Sequence, residues 1–276
     1  LVLSAGVTQT KILSEKWDGE RYFLKAQIML DENDVLAKLD ALISDVRMHQ
    51  SILDNRMVVD NALAQIDSLR TALAKEQDIN HQLSLQQSFQ VQTDKLRAIE
   101  LLEEARTIDS TDENSSPNRE KRIALLIKAV DADSTLGAAW LELGISCLLS
   151  DNLGMAKSAL TKAWECTSDP YALLMLGDAH SNSKDFDTAF NFYEQSAQEY
   201  QSFIFPQYSS IDEDAELRLQ RWRNSQRLAP LNRIAELHQQ NGDINKTRQA
   251  FFEILMLAPQ HSAALVFATS IDTQLG

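Results

Sequence analysis

A net charge of −14 over 276 residues, with an isoelectric point near 4.8, leaves little room for the broad basic face of a general nucleic-acid binder. It also argues against docking on an anionic membrane surface. The 44% apolar content is that of a folding chain, and 8 Gly with 5 Pro are too few for a many-turned β architecture.

Residues 1–32 read as a β-hairpin, the end of a domain whose earlier part precedes Leu1. In "YFLKAQIML", Tyr22, Leu24, Ala26, Ile28 and Leu30 alternate with mostly polar neighbours, the pattern of a half-buried strand. Asp18-Gly19 suits a tight hairpin turn, which places the partner strand at about Val7 to Lys16. A chain that starts at Leu1 rather than Met is expected of a processed or trimmed product.

From Glu20 to Ser116 there is no Gly or Pro. Over 33–96 the sequence predicts a long coiled-coil-like helix, capped at Asn33 or Asp34. Its seam is Leu39, Leu42, Val46, Leu53, Val59, Leu63, Ile66, Leu69 and Leu73, with a register shift around 49–59 where His49, Arg56 and Asp60 intrude. A single helix from Asp34 to Thr107 would be roughly 110 Å long. Its apolar stripe must pair with another copy, making the protein a homo-oligomer, or fold back through a turn near Ile79 to Ser88.

Past an acidic loop, "DSTDENSSPNR", the region 97–276 repeats itself. Leu143-Gly144 aligns with Leu176-Gly177, and Ala156 with Ala189, each 33 residues apart. A period near 34 marks a helix–turn–helix repeat. One copy supplies Trp140, Leu143, Gly144, Ala156, Ala163 and Pro170. The next supplies Leu173, Leu176, Gly177, Ala189 and Tyr193. A poorer copy has Leu231, Ile234, Ala235, Phe251 and Pro259, with Thr247 where Ala is expected. These residues resemble the tetratricopeptide repeat family. The resemblance implies an α-solenoid of three to four helical hairpins, in which Gly144, Gly177 and Ala235 let helices approach closely. An insertion at about 198–228 interrupts the array. It carries an apolar "FIFPQY" and a helix with Ala215, Leu219 and Trp222 on one side. A capping helix is expected after Gln260.

By the same resemblance the first helix of each hairpin lines a concave groove. That assigns Leu141, Ile145, Leu148, Leu149, Tyr171, Leu174, Asp178, Ser181, Asn182, Asn232 and Glu236, with Gln239 and Gln240, to partner binding. The expected partner is a protein or peptide, unless the chain's own long helix fills the groove. Leu141, Leu174 and Asn232 stand where chaperone-tail binders of the family clamp a carboxylate, so that subtype does not fit.

No catalytic arrangement, metal-binding cluster or cofactor motif stands out. His49, His81, His180, His238 and His261 are scattered, and His180 and His238 read as packing residues. Cys147 and Cys166 read as buried apolar side chains rather than a disulfide. Nothing has the roughly 18-residue apolar run of a membrane span. Residues 15–107 followed by repeats also resemble bacterial envelope proteins with an α/β domain, a long helix and tetratricopeptide repeats. That implies a periplasmic or outer-membrane-associated protein, the alternative being cytoplasmic. The expected function is a non-catalytic scaffold. Alternatives are a monomeric adaptor or a regulatory domain of a larger protein.

Overall fold

The structure, a computed structural model, describes residues 7–17, 22–30, 46–108, 116–205, 213–259, 261 and 264–265. For 7–17, 22–30, 46–49, 116 and 213–218 it describes the backbone alone. The chain divides into two compact units, Leu1–Asp54 and Asn55–Gly276.

In the first unit β1 (Val7–Trp17) pairs antiparallel with β2 (Tyr22–Leu30). Trp17 stands opposite Tyr22 and Ile12 opposite Ala26, with register shifts between Val7 and Gln9 and between Ile12 and Ser14. The Asp18-Gly19 turn lies outside the described residues.

Everything else described is helical: α1 (Val46–Leu73), α2 (Ile79–Arg106), α3 (Ser116–Ala132), α4 (Gly137–Leu149), α5 (Leu153–Thr167), α6 (Pro170–Asn182), α7 (Phe186–Ser202), α8 (Glu213–Gln240) and α9 (Ile244–Leu257). Four antiparallel hairpins result, α2/α3, α4/α5, α6/α7 and α8/α9, each packed on the next. The chain is mostly α, an arrangement compatible with an all-α solenoid.

Three of the hairpins turn in the same way. Asp151, Lys184 and Gly242 each adopt a left-handed conformation, with φ of 57°, 62° and 71°. The following Asn152, Asp185 and Asp243 cap the second helix, accepting from the backbone N–H of Met155, Thr188 and Lys246. Each cap's own N–H donates to the carbonyl five residues back, on Cys147, His180 and His238, at 2.9 Å. The local sequence thus stops and restarts each helix by one mechanism.

Small residues set the spacing within these hairpins. A Cβ on Gly144 would come within 2.5 Å of Leu160 Cγ, and one on Gly177 would run into the ring of Tyr193. Ala235 and Phe251 recur at the same 16-residue separation, both buried. Glycine costs about 1 kcal/mol against alanine inside a helix. Here the cost is offset by close packing of a large side chain over its backbone. Thr247, at the position taken by Ala156 and Ala189, is buried with its hydroxyl donating to Asp243 O at 2.8 Å.

Two apolar cores run through the hairpins. Leu102, Leu126, Leu143, Leu160 and Leu176 belong to one, and Leu174, Tyr193, Ile234, Phe251 and Ile254 to the other. Met175 on α6 packs against both. Ala264 is buried in the second core. The rest of the expected capping helix lies mainly outside the described residues.

Several expectations change. The long helix is broken after Leu73, and its second half resumes at Ile79 and runs to Arg106, across the expected boundary at 96/97. Asn55 Nδ2 donates to Glu103 Oε1 at 3.1 Å, and the Arg70 guanidinium lies 5.8 Å from the Phe89 ring centre. Fifteen residues further along α1 the partner lies fourteen residues earlier on α2, so α2 runs back antiparallel beside α1.

Shielded positions on α1 include the row Asn55, Val59, Ala62, Ile66, Leu69 and Leu73, besides Ser51, Ile52 and Ala72. On α2 one row of them is Gln82, Leu85, Phe89, Gln92, Leu96, Ile99, Glu103 and Arg106, while Ala98, Leu102 and Ala105 are buried on the side facing the first apolar core or beside it. Both rows alternate steps of three and four, as a coiled-coil seam does. Carrying the α1 set onward gives positions 76, 80 and 83, one residue out of phase with Gln82. A straight helix could not keep both sets on one side, which is a physical reason for the break. Of the expected seam, Leu53 and Leu63 are exposed while Asn55 and Ala62 take the inward places. Leu39 and Leu42 lie outside the described residues, as does the side chain of Val46.

The described back half of the insertion is helical, as expected from Ala215, Leu219 and Trp222. It is continuous with the third copy's first helix, α8, through a buried Pro230. Tyr200, Phe203, Phe205 and Trp222 form an aromatic knot, with centroid separations of 5.2 to 6.0 Å and the Arg227 guanidinium 5.2 Å from the Phe205 centre. Leu219 is buried, the side chain of Ala215 is outside the description, and Ile204 is 85% exposed. Cys147 is buried and free, but Cys166 is exposed, because it sits in the last turn of α5 rather than on a core face.

Candidate functional site

Helix α6 contacts both α4 and α8 directly, besides the contacts made through α5 and α7. These three helices carry the positions assigned from sequence. The structure sorts those positions into supports and accessible groups.

Leu174 is 4% exposed and belongs to the second core, so it packs helices together rather than meeting a partner. Leu141, Leu148 and Tyr171 are half-buried against the cores. Ile145, Ser181 and Asn232 are half-buried. Leu149 is 61% exposed at the end of α4, and Asn182, Glu236, Gln239 and Gln240 are exposed on α6 and α8. The apolar groove expected from four leucine and isoleucine positions thus narrows to an open Leu149 beside a partly shielded Ile145. Sequence spacing gives the side of a helix, but not how close the next helix lies.

Asp178 and Glu236 are drawn together by a residue the sequence reading missed. Arg233 on α8 donates through Nε to Asp178 Oδ1 at 2.9 Å, through Nη2 to Asp178 Oδ2 at 3.4 Å, and through Nη1 to Glu236 at 3.0 Å. Tyr193 on α7 donates its hydroxyl to Asp178 Oδ1 at 2.8 Å. Burial works against the Arg233 charge, yet Asp178 and Glu236 outweigh it and hold its pKa above the ordinary value. Burial and the Asp178 charge push the Tyr193 hydroxyl far above its usual range. This is an ionic clasp across three helices. Its signal in the sequence was the Arg233/Glu236 spacing of three on one helix face.

A second charged cluster lies between the first two hairpins. Arg106 Nε donates to Glu142 Oε1 at 2.6 Å and Arg106 Nη1 to Glu103 at 2.9 Å, while Arg122 Nη2 donates to Glu142 Oε2 at 3.0 Å. Side-chain exposure of Arg106 is 7% and of Glu142 14%. Arg119 donates to the Leu149 carbonyl at 3.1 Å, a favourable cation at the C-terminal end of α4.

His180 and His238 pack against aromatic rings, as read from their equivalent positions. His180 lies 5.3 Å from the Phe192 ring and His238 5.0 Å from Phe190. His180 Nδ1 also meets Asp185 Oδ2 at 2.9 Å, bracing the cap of α7.

Among the described residues no group of three His, Cys, Asp or Glu is placed to hold a metal ion. No described helix is long and apolar enough to cross a membrane. No protein-family model matches the chain, and no curated protein matches it either.

Proposed function

We propose that the chain is a non-catalytic protein-binding scaffold of tetratricopeptide type, taking a protein segment or peptide along the face shared by α4, α6 and α8. The observation that carries this reading is that α6 lies against both α4 and α8, with Leu149, Asn182, Glu236, Gln239 and Gln240 left exposed along the three helices. Recurrent Gly144/Leu160, Gly177/Tyr193 and Ala235/Phe251 pairs and three matching turns support the family reading. A mixed row of one leucine, amides and a carboxylate suits an extended segment whose backbone needs hydrogen-bonding partners and whose apolar side chain needs one anchor. The order of strand pair, long helical segment and repeats supports an envelope setting as part of the same proposal.

Photo-crosslinking in the source cell tests it. A photoreactive side chain at Leu149 or Asn182 is expected to trap a defined protein, while one at exposed Lys162 on α5 is not. Equal trapping at all three positions, or at none, rejects the proposal. Leu149→Glu should abolish trapping at Asn182 with the helical signal unchanged.

A further inference from the structure

The turn between α1 and α2 has no backbone feature that commits it to one conformation. Residues Ala74 to Asp78 include no Gly, no Pro and no positive φ. Helical hydrogen bonds continue past Leu73, from Ala74 N to Arg70 O and from Glu76 N to Ala72 O, both at 3.1 Å. What stops the helix is a side chain. Glu76 Oε1 accepts from the backbone N–H of Gln77 and of Asp78, each at 2.9 Å, and Oε2 meets His81 Nδ1. Gln82 Nε2 donates to Glu76 O at 2.6 Å. Asp78 Oδ1 then caps α2, accepting from Asn80 N at 2.8 Å and His81 N at 3.2 Å. The turn is therefore held by two carboxylate side chains, a half-buried Glu76 and an exposed Asp78.

The seam that this turn closes is thin. Polar Asn55, Gln82, Gln92 and Glu103 occupy seam positions, and among the described residues of α1 only Asn55, Ala62 and Ile66 are fully shielded. Such a seam stabilises weakly, and polar residues within it fix register at a cost in stability. When a weakly held element is joined by a short hinge, exchange with a second copy keeps every native contact and needs only the hinge to open.

We propose that the Asn55–Leu73 part of α1 exchanges between two copies of this chain. In the exchanged dimer it lies on α2 of the other copy, with the Asn55–Glu103 and Arg70–Phe89 contacts formed between chains. Residues 74–78 then extend instead of turning, and Glu76 is the latch that favours the closed monomer. The partner surface is self-complementary because the same antiparallel seam is made twice. This inference is independent of what the α4–α6–α8 face binds.

The test uses the full chain with Cys147→Ala and Cys166→Ala, carrying Arg70→Cys and Phe89→Cys, and a short bifunctional maleimide. Gel filtration separates monomer from dimer, and denaturing gels then read where the crosslink lies. The expected result is a crosslink between chains in the dimer fraction and within one chain in the monomer. A dimer crosslinked only within its own chains overturns exchange and points to another association surface. A chain that stays monomeric at the highest soluble concentration overturns it as well. Glu76→Ala should raise the dimer fraction several-fold, with circular dichroism confirming the fold. Two glycines inserted after Gln77, which relax the hinge, should lower it. An unchanged monomer–dimer ratio in both variants overturns the latch.

Discussion

The ring of Tyr193 lies over the backbone of Gly177, and its hydroxyl reaches on to Asp178, the next residue along the same helix. One side chain thereby fixes both the separation of α6 and α7 and the orientation of the carboxylate that Arg233 grips from α8.

Gly177→Ala is expected to destabilise the chain by about 1–3 kcal/mol, because a rigid ring between three helices has no free volume to retreat into. Gly144→Ala should cost somewhat less, since its Cβ meets the aliphatic Cγ and Cδ2 of Leu160 rather than a rigid ring, and helix propensity returns about 1 kcal/mol in either case. Urea unfolding of the two variants checks the order. The double variant Gly177→Ala/Tyr193→Leu should recover part of the loss, and strict additivity would show that the contact is not the cause.

The three matching turns give a second expectation. A side chain in the left-handed region costs on the order of 1 kcal/mol, less for Asp than for Lys. Lys184→Gly should therefore raise stability by up to about 1 kcal/mol, offset in part by the freer unfolded chain. Asp151→Gly should change little, and Gly242→Ala should lower stability by about 1 kcal/mol. Denaturation midpoints of the three, compared at constant slope, decide it.

How much of this was legible in the sequence depended on whether the information is local. The close approach at Gly144 and Gly177 was read through the resemblance, because small and large residues recur at fixed offsets within one hairpin. The matching turns carry local signals too, in Asn152, Asp185 and Asp243, that the sequence reading left unused. The break after Leu73 was not placed, because Ala74 to Asp78 lacks Gly and Pro and the helix is stopped by the side chain of Glu76. The inward role of Asn55 was hidden by its polarity, since seam readings look for Leu53 and Leu63. Leu174 looked like a groove residue because its burial depends on how close α8 lies, which no spacing on α6 encodes.

Acid should weaken the fold in two windows. Burial, with Lys246 nearby, holds His238 below the ordinary 6.5, so the folded chain disfavours its protonation. Stability from this group is complete above pH 6.5 and falls as pH drops below it. Asp185, through its hydrogen bonds from His180 and Thr188, and Asp243, through Lys246 N, are held below 3.8. Their contribution is complete above that value and is lost as pH falls through the depressed folded pKa. Asp185→Asn should be less stable than wild type at pH 7, and the gap should close as pH falls below 3.8. Parallel unfolding curves across pH for the two proteins would disprove the assignment.

Glu142 engages Arg106 and Arg122 together in a site with little solvent. Glu142→Ala is expected to destabilise by about 3 kcal/mol, since it withdraws a carboxylate from two largely buried guanidiniums. Glu142→Gln should cost more than half as much as Glu142→Ala if charge dominates, and much less if hydrogen bonding does. Thermal unfolding of the two variants separates these, and the losses should change little between low and high salt because the cluster is shielded from screening.

The two cysteines have a consequence for how the fold can be watched. Cys166 is open to reagent, whereas Cys147 is enclosed in the α4/α5 hairpin, where burial raises its thiol pKa. A thiol label therefore reacts at once with the first, but with the second only when that hairpin breathes. The lag between the two reactions clocks local opening in the unmodified protein, and a ligand bound along α4 would lengthen it.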